Sequence, residues 1–295
     1  MQTLTISKPD DFHLHLRDGA AMASIVNYSA AQFSRAIVMP NLKPAITTVD
    51  MALSYRERIL DSVDKKYNFE PLMTLYLTDN MLPDVINIAA QTESIKALKY
   101  YPAGATTNSD CGVTDIKKIY SVLEAMMKNE LPLLIHGEVS DIEVNVFDRE
   151  KVFIEKVLEP LVDDFCELKI VFEHITTKAA VDFVLNASSN VAATITPQHI
   201  LLNRNDLFNE SFRPHNYCFP VLKEEDDRLA VLGAATSGNS KFFLGTDSAP
   251  HSRSKKESGC GCAGIFSAYN ALELYVGIFD NQNKLDEVEA FTSFF

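Results

Sequence analysis

Short apolar segments recur along the chain, and they alternate with longer segments in which apolar residues are spaced three or four positions apart. Many of the short segments are rich in Val, Ile, Phe and Tyr, which are frequent in β-strands. Eight segments of this kind predict strands. They are DFHLHL (11–16), RAIVMPN (35–41), PLMTLYLT (71–78), IKALKYYP (95–102), PLLIHGEV (132–139), KIVFEHI (169–175), VAATITPQH (191–199) and KFFLGTDSAP (241–250).

Most of the intervening segments have the periodicity of amphipathic helices. The clearest are 114–130 and 148–165, and 177–186 is a shorter example. Thr114 is the predicted N-cap of the first of these helices. Pro160 is expected to end or bend the second, because proline lacks the backbone N–H that a helix interior needs.

Strands that alternate with helices predict parallel pairing through βαβ units. Eight such units in 295 residues fit an α/β fold of the TIM-type (β/α)8 barrel class. A doubly wound open sheet is the alternative, but no G-x-G-x-x-G follows the first strand. No internal repeat, low-complexity tract or linker is visible, so a single barrel domain over residues 1–295 is expected.

Composition narrows the class of protein. The chain is 46% hydrophobic and 23% charged, which is ordinary for a globular protein. Its net charge of −13 argues against a nucleic-acid partner, because phosphates would be repelled. The sequence has no apolar run of about 18 residues, so it predicts no membrane span. Its first residues do not resemble a signal peptide. Five cysteines, an odd number at scattered positions, are expected to stay reduced in the cytoplasm.

The most informative polar residues lie in the segment DDFHLHLRDG (10–19). His13, His15 and Arg17 are two positions apart, and alternate residues of a strand point to one face. The spacing therefore predicts two metal ligands and an anion-binding side chain at the end of the first strand. The alternative is two ordinary histidines in a turn.

Other polar residues also lie at or just beyond the predicted strand ends, where TIM barrels carry their chemistry. They are Asn41, Lys99, His136, His174, Asp247 and, four residues later, His251. Any one of them could be structural. Their occurrence at most of the eight strand ends instead predicts a shared active site.

Four histidines and one aspartate are donors that suit zinc. One catalytic zinc usually has three protein ligands, so this set favours two metal ions about 3.5–4 Å apart. Two close cations need a bridging anion, and Lys99 is the candidate because its neighbours are apolar and aromatic. Burial beside cations would keep its amine neutral, and a neutral amine can react with carbon dioxide to form a carbamate. The alternative is that Lys99 forms a salt bridge or extends to solvent.

The chain resembles dihydroorotases of the shorter, bacterial (class II) type, within the amidohydrolase superfamily. The resemblance covers essentially the whole sequence and rests on nine separated blocks. These are DDFHLHLRDG, RAIVMPNLKP, ALKYYPAGATTNS, LLIHGEV, FDRE, VFEHITTK, ATITPQH, RPHNYCFPVLK and FLGTDSAPHSRSKKESGCGCAG.

This resemblance implies a metal centre with two Zn²⁺ per subunit. The implied ligands are His13, His15 and Asp247 for the first ion, and His136 and His174 for the second. Lys99, as N6-carboxylysine, would bridge both ions together with a hydroxide. Asp247 would also be the catalytic residue, acting as general base and then general acid.

The resemblance also implies a substrate-binding set of His15, Arg17, Asn41, His136, Phe219, His251 and Ala263. Arg17, Asn41 and His251 would bind the substrate carboxylate, and backbone groups near Phe219 and Ala263 would contact the ring edge. The family usually has Leu at the position of Phe219, so the pocket wall is expected to differ. Thr106 and Thr107 match a loop that closes over the substrate in relatives.

The implied reaction is the reversible, zinc-dependent cyclisation of N-carbamoyl-L-aspartate to L-dihydroorotate, the third step of de novo pyrimidine (UMP) biosynthesis. The implied partners are this small-molecule substrate and a second copy of the chain in a homodimer. Relatives continue beyond the point where this sequence stops, so the expected barrel lacks the family's C-terminal segment.

Two other functions stay open from the residues. A hydantoinase or another cyclic amidohydrolase would share the metal ligands, although R-x-D-G after H-x-H favours a carboxylated substrate. A non-catalytic metal-binding homologue or assembly subunit is the other alternative, although no proposed ligand is missing.

Several remaining residues have no assigned role. Cys260 and Cys262 form a C-x-C that is expected to be a reduced pair on a loop. His199 and His215 are expected to make structural hydrogen bonds. The run SRSKKES (252–258) is predicted to be a solvated loop whose cations attract an anionic substrate.

Overall fold

Eight parallel strands form the sheet of the computed structural model, which describes residues 3–294. Each strand pairs with the next one along the chain, in the order β1 to β8. The strands are β1 (Asp10–Leu14), β2 (Arg35–Val38), β3 (Glu70–Tyr76), β4 (Ile95–Tyr100), β5 (Leu133–His136), β6 (Ile170–Glu173), β7 (Val191–Ile195) and β8 (Phe242–Leu244). All eight predicted strands are therefore confirmed, with somewhat shorter bounds.

The two ends of the sheet meet through the segment that follows β8. Asp247 N–H donates to His13 O at 2.9 Å, and His15 N–H donates to Ser248 O at 3.1 Å. The Asp11 carboxylate accepts hydrogen bonds from the backbone and hydroxyl of Thr246 at 2.9 and 2.6 Å. The sheet is thus a nearly closed barrel, so the predicted TIM-type fold is confirmed in place of the open sheet.

Helices connect most of the strands and cover the outside of the barrel. The α-helices are Gly19–Gln32, Val49–Ser62, Pro83–Ala90, Tyr120–Lys128, Arg149–Phe153, Glu159–Asp164, Lys178–Asn186, Pro197–Leu201, Glu225–Ala235, Arg253–Lys256 and Ala271–Asn281. Shorter 3₁₀ turns are Ile116–Ile119, Arg204–Leu207, Pro214–Asn216 and Leu285–Glu287, and wider π turns are Ile154–Leu158 and Ala290–Phe294. No helix within residues 3–294 is both long enough and apolar enough to cross a bilayer.

The predicted N-cap is wrong, and of the two outcomes predicted for Pro160 one, the end of the helix, is excluded. Thr114 is not an N-cap: its hydroxyl donates to Asp79 at 2.6 Å, and the Asp115 side chain instead caps the 3₁₀ turn that precedes the helix. Pro160 does not end its helix, which runs on to Asp164. A π turn ends at Leu158, two residues before Pro160, and such turns interrupt the regular spacing of a helix.

The two-residue period of the strands separates two cores. Outward side chains such as Val38, Leu98, Ile135 and Phe172 belong to the main apolar core with the helices. Inward side chains form a second apolar cluster within the barrel, made by Ile37, Met39, Leu72, Ala97 and Leu134, with Phe12 and Val171 packed against it. The next inward positions after Ala97, Leu134 and Val171 are Lys99, His136 and Glu173. The barrel interior therefore changes from apolar to polar within one pleat.

Candidate metal and substrate-binding site

A β-bulge in β1 determines which way the first residues of the site face. Asp11 pairs with Ala36 and Leu14 pairs with Val38, so β1 has one residue more than β2 over this stretch. A bulge changes the direction of nearby side chains. Phe12 can therefore pack in the apolar interior while His13, the next residue, also turns inward.

Three donor atoms converge at the seam between β1 and β8. His13 Nε2 and His15 Nε2 are 3.2 Å apart, and Asp247 Oδ1 lies 3.3 and 3.1 Å from them. Ligands bound tetrahedrally about 2.0–2.1 Å from zinc lie roughly 3.3 Å from one another. These three buried side chains therefore fit a zinc ion without rearrangement.

A second pair of donors lies beside the first. His136 Nδ1 and His174 Nε2 are 3.2 Å apart, and both residues are buried. The rings of His13 and His174 have centroids 5.0 Å apart, so the two donor groups are neighbours. The structure thus brings together the four histidines and the aspartate that the sequence predicted as metal ligands.

Left-handed backbone conformations direct several of these side chains. Arg17, His174 and Asp247 have φ values of 61°, 44° and 44°, a region that residues other than glycine seldom adopt. His174 follows the inward-facing Glu173, so a regular strand would point it outward. Its unusual φ, with its N–H donating to Thr194 Oγ1 at 2.8 Å, lets it join the site. Such conformations are frequent at functional sites.

Lys99 lies fully buried between the donor groups and the barrel core. Its ammonium contacts the Glu173 carboxylate and lies 5.0 Å from the centre of the Tyr101 ring. Burial lowers the pKa of Lys99 well below its usual value. The unmodified Lys99 side chain thus forms the salt bridge that the sequence left open as an alternative. Carboxylation of Lys99 stays a prediction.

Burial also controls the charge of the histidines. It lowers the pKa of His13 and His174 well below the usual value, and it lowers the pKa of His15 as well. These imidazoles are therefore neutral near pH 7, which is the form that binds a metal.

Each of three proposed histidine ligands has an oxygen atom opposite its second ring nitrogen. Glu173 Oε1 lies 3.0 Å from His13 Nδ1, Glu138 Oε2 lies 3.0 Å from His136 Nε2, and Asn41 Oδ1 lies 2.8 Å from His15 Nδ1. Such partners typically orient metal ligands and fix their tautomers. The sequence patterns predicted neither glutamate, although Glu138 follows His136 by two residues and Glu173 directly precedes His174.

Arg17 is the positive group next to these donors. Its Nε donates to Pro250 O at 3.0 Å, and its Nη2 lies 3.2 Å from His251 Nε2. Burial, reinforced by the Arg17 charge, lowers the pKa of His251 to about 4. His251 is therefore neutral at pH 7, and the positive charge that can attract a carboxylate belongs to Arg17.

The donors and Arg17 open into one small cavity. Its lining includes most of the predicted site, namely His13, His15, Arg17, Asn41, Thr106, Thr107, His136, His174, Phe219, Asp247 and Ala263. Tyr101, Ala249 and Gly264 complete the wall and were not predicted. His251 lies behind Arg17, with its Nε2 2.9 Å from Ala263 O. The loop with Thr107 is joined to Asn41, whose Nδ2 donates to Thr107 O at 3.1 Å.

The remaining residues singled out by sequence have other surroundings. His199 is bonded to Thr196 at 2.8 Å and to Pro220 O at 2.9 Å, and His215 pairs with Glu257 near the surface. Both are structural, as expected. Cys260 and Cys262 have sulfur atoms 3.6 Å apart on an exposed loop.

Comparison with known proteins gives a consistent result. No protein-family model matches the chain. A dihydroorotase of Microcystis aeruginosa is 61% identical over 294 residues, which is 100% of this chain and 86% of that protein. The crystal structure of a Campylobacter jejuni dihydroorotase is 38% identical with a TM-score of 0.90, covering 98% of this chain and 81% of that one. A Saccharomyces cerevisiae dihydroorotase in complex with 5-fluoroorotic acid is 36% identical, with a TM-score of 0.89 and coverage of 97% and 81%. With this identity over its full length, the chain belongs to the dihydroorotase family.

Proposed function

We propose that this chain catalyses the reversible ring closure of N-carbamoyl-L-aspartate to L-dihydroorotate, in the de novo synthesis of pyrimidines. The observation that carries the proposal is one cavity that holds a triangle of His13, His15 and Asp247 together with the half-buried cation Arg17. The first group suits a hydrolytic metal, and the second suits a substrate with a carboxylate. The family resemblance supports a homodimer in the cytoplasm as part of the same proposal.

The donor atoms support a centre with two zinc ions. His13, His15 and Asp247 would hold one ion, and His136 and His174 would hold the other. Zinc bound there would supply a water molecule of lowered pKa and would polarise the carbonyl of the scissile amide.

Lys99 would contribute the ligand shared by both ions. Its neutral amine would add to carbon dioxide, forming a nitrogen–carbon bond and releasing one proton, so that the side chain becomes a carbamate. This anion would balance the charge of two neighbouring cations. The burial of Lys99 and the lowering of its pKa support this step, because only the neutral amine has a free electron pair.

Asp247 would move the proton during the reaction. In the hydrolytic direction its carboxylate takes the proton from the attacking water and delivers it to the ring nitrogen as the amide carbon–nitrogen bond breaks. Its buried position beside His13 and His15 supports this role. In the direction of ring closure, the same steps run in reverse.

Arg17, Asn41 and His251 would orient the substrate. Arg17 can bind a carboxylate through two parallel N–H groups, and this contact fixes the ring relative to Asp247. The relative crystallised with 5-fluoroorotic acid supports a pyrimidine carboxylate as the ligand class.

A substrate panel on zinc-loaded protein tests this proposal. L-dihydroorotate, dihydrouracil and hydantoin share a cyclic amide, but only dihydroorotate has the carboxylate that Arg17 would bind. We expect hydrolysis of dihydroorotate and at most weak turnover of the others. Preference for dihydrouracil or hydantoin would favour the sister amidohydrolases, and tight zinc binding without any turnover would favour a non-catalytic homologue.

A further inference from the structure

Lys256 departs from the solvated loop that the run SRSKKES predicts. It is buried, with only 3% of its surface exposed, whereas the adjacent Lys255 and Arg253 are exposed. A lysine is rarely buried unless its ammonium has partners, and burial here lowers the pKa of Lys256 to about 8. Burying this charge costs free energy, so its contacts need an explanation.

The partners of Lys256 are three backbone carbonyls. Its Nζ donates to Tyr217 O, Cys262 O and Gly264 O, each at 2.8 Å. An ammonium has three N–H groups, so all of them are used. Its side chain therefore joins the loop at Tyr217 to the loop at 262–264, which are more than 40 residues apart in the sequence.

Both of these loops form part of the cavity wall. Ala263 and Gly264 line it from one loop, and Phe219 lines it from the other, two residues after Tyr217. Gly264 N–H also donates to Tyr217 O at 2.9 Å, so the two loops share a carbonyl that Lys256 holds.

The loop at 262–264 is also in contact with the carboxylate-binding side chains. Ala263 O lies 2.9 Å from His251 Nε2, and His251 in turn lies next to Arg17. Gly264 packs so closely on Ala249 that a Cβ there would collide with Ala249 O. Movement of this loop would therefore change the position of the groups that face the substrate.

We propose that Lys256 is a positioning residue that fixes the backbone of the Phe219 and Ala263 loops and thereby sets the affinity for substrate, without itself touching substrate or metal. Preorganisation of these two loops would raise the affinity, because a loop already held in its bound conformation loses less entropy when the ligand binds. This proposal deepens the proposed function, and it rests on a pyrimidine carboxylate binding in this cavity.

The test compares Lys256→Met with Lys255→Met in the zinc-loaded protein. Methionine is unbranched and only one atom shorter than lysine but has no donors, and Lys255 is the exposed neighbour. The readouts are the Kd of orotate by calorimetry, KM and kcat for dihydroorotate, zinc content and Tm. Orotate is a probe that has the carboxylate and ring but is not hydrolysed.

We expect Lys256→Met to weaken orotate binding and to raise KM, each by roughly 10- to 100-fold, which is the effect of losing hydrogen bonds from a charged donor. Zinc content should stay at the wild-type level and kcat should change far less than KM. Lys255→Met should change both constants by less than about twofold, because its exposed charge adds only a screened long-range attraction for the substrate. Lys256→Gln, which retains two N–H donors, should fall between wild type and Met, and it replaces Lys256→Met if that variant does not fold.

Wild-type orotate affinity in the Lys256 variants would overturn the proposal, as would a loss of kcat and zinc with unchanged orotate binding. These results differ from failure of the proposed function. In that case the wild-type protein itself would neither hydrolyse dihydroorotate nor bind orotate.

Discussion

Glu173 Oε1 lies 3.0 Å from His13 Nδ1, on the side of the imidazole opposite the atom that faces Asp247. The same carboxylate contacts Lys99 through its other oxygen. Glu173 is fully buried, so this one side chain links the first donor group to the residue proposed as the bridge. The two atoms are close but make no hydrogen bond in this geometry, and we infer that Glu173 orients the His13 ring so that Nε2 faces the metal site.

Replacing Glu173 should therefore weaken the metal centre. We expect Glu173→Gln to reduce zinc affinity by roughly 10- to 100-fold, which is usual for the loss of an outer partner of a metal ligand. Competition with a chromophoric chelator measures this affinity directly. Glu167→Gln, at an exposed glutamate on the same segment, is the control. Equal zinc affinity in both variants would contradict the role of Glu173.

Carboxylation of Lys99 is open to direct observation. We expect zinc-loaded protein prepared in ¹³C-bicarbonate to show a carbamate carbon signal in its NMR spectrum, because burial lowers the pKa of Lys99 and so favours the neutral amine that adds to carbon dioxide. Lys99→Met should lack this signal and should bind less zinc. A wild-type spectrum without the carbamate signal, at full zinc content, would mean that the ions are bound without the modification.

Arg17 and Asp247 are expected to affect different kinetic constants. Arg17→Ala should raise KM by roughly 10- to 100-fold, because a charged hydrogen-bonding partner of the carboxylate is lost, and it should change kcat less. Asp247→Ala should abolish turnover, since this side chain is both ligand and proton carrier. Zinc analysis separates these two roles of Asp247. A similar fall in kcat for both variants, with unchanged KM for Arg17→Ala, would contradict this division.

His199 should make the fold sensitive to acid. Burial lowers the pKa of His199 to about 4, while the unfolded chain retains a value near 6.5. Between these values the unfolded state binds the proton more readily, so stability falls as the pH decreases from about 6.5 towards 4. At pH 5 the loss of folding stability relative to neutral pH is about 2 kcal/mol.

Urea unfolding of wild type and His199→Asn at pH 7 and pH 5 checks this effect. The unfolding free energy of wild type minus that of His199→Asn should be about 2 kcal/mol lower at pH 5 than at pH 7. All other groups titrate equally in both proteins, so this change reports on His199. A difference that does not change with pH would show that His199 is not the buried neutral group described here.

Much of the site follows from the period of the strands. Lys99 and His136 lie two residues after Ala97 and Leu134, so alternation alone predicts that they face the barrel interior. His174 breaks this rule, because it enters the site through a left-handed backbone conformation that no local sequence pattern specifies. Its inclusion was predicted from its position at the end of the sixth strand and not from alternation.

Other features lay beyond sequence reasoning because they depend on distant contacts. The carboxylate of Glu173 meets His13 across the barrel, 160 positions away in the chain, and sequence spacing does not reveal such a pair. A run of charges predicts a solvated Lys256, yet this side chain is buried and donates to three carbonyls of folded loops. The helix also continues through Pro160 to Asp164, after a π turn that the spacing of apolar residues did not predict.

Anomalous diffraction from zinc-loaded crystals tests the central claim most directly. We predict two zinc peaks at the mouth of the barrel, one bound by His13, His15 and Asp247 and the other by His136 and His174, with extra density on the Lys99 amine between them. A single peak with an unmodified Lys99, or zinc bound elsewhere with these side chains apart, would contradict the account.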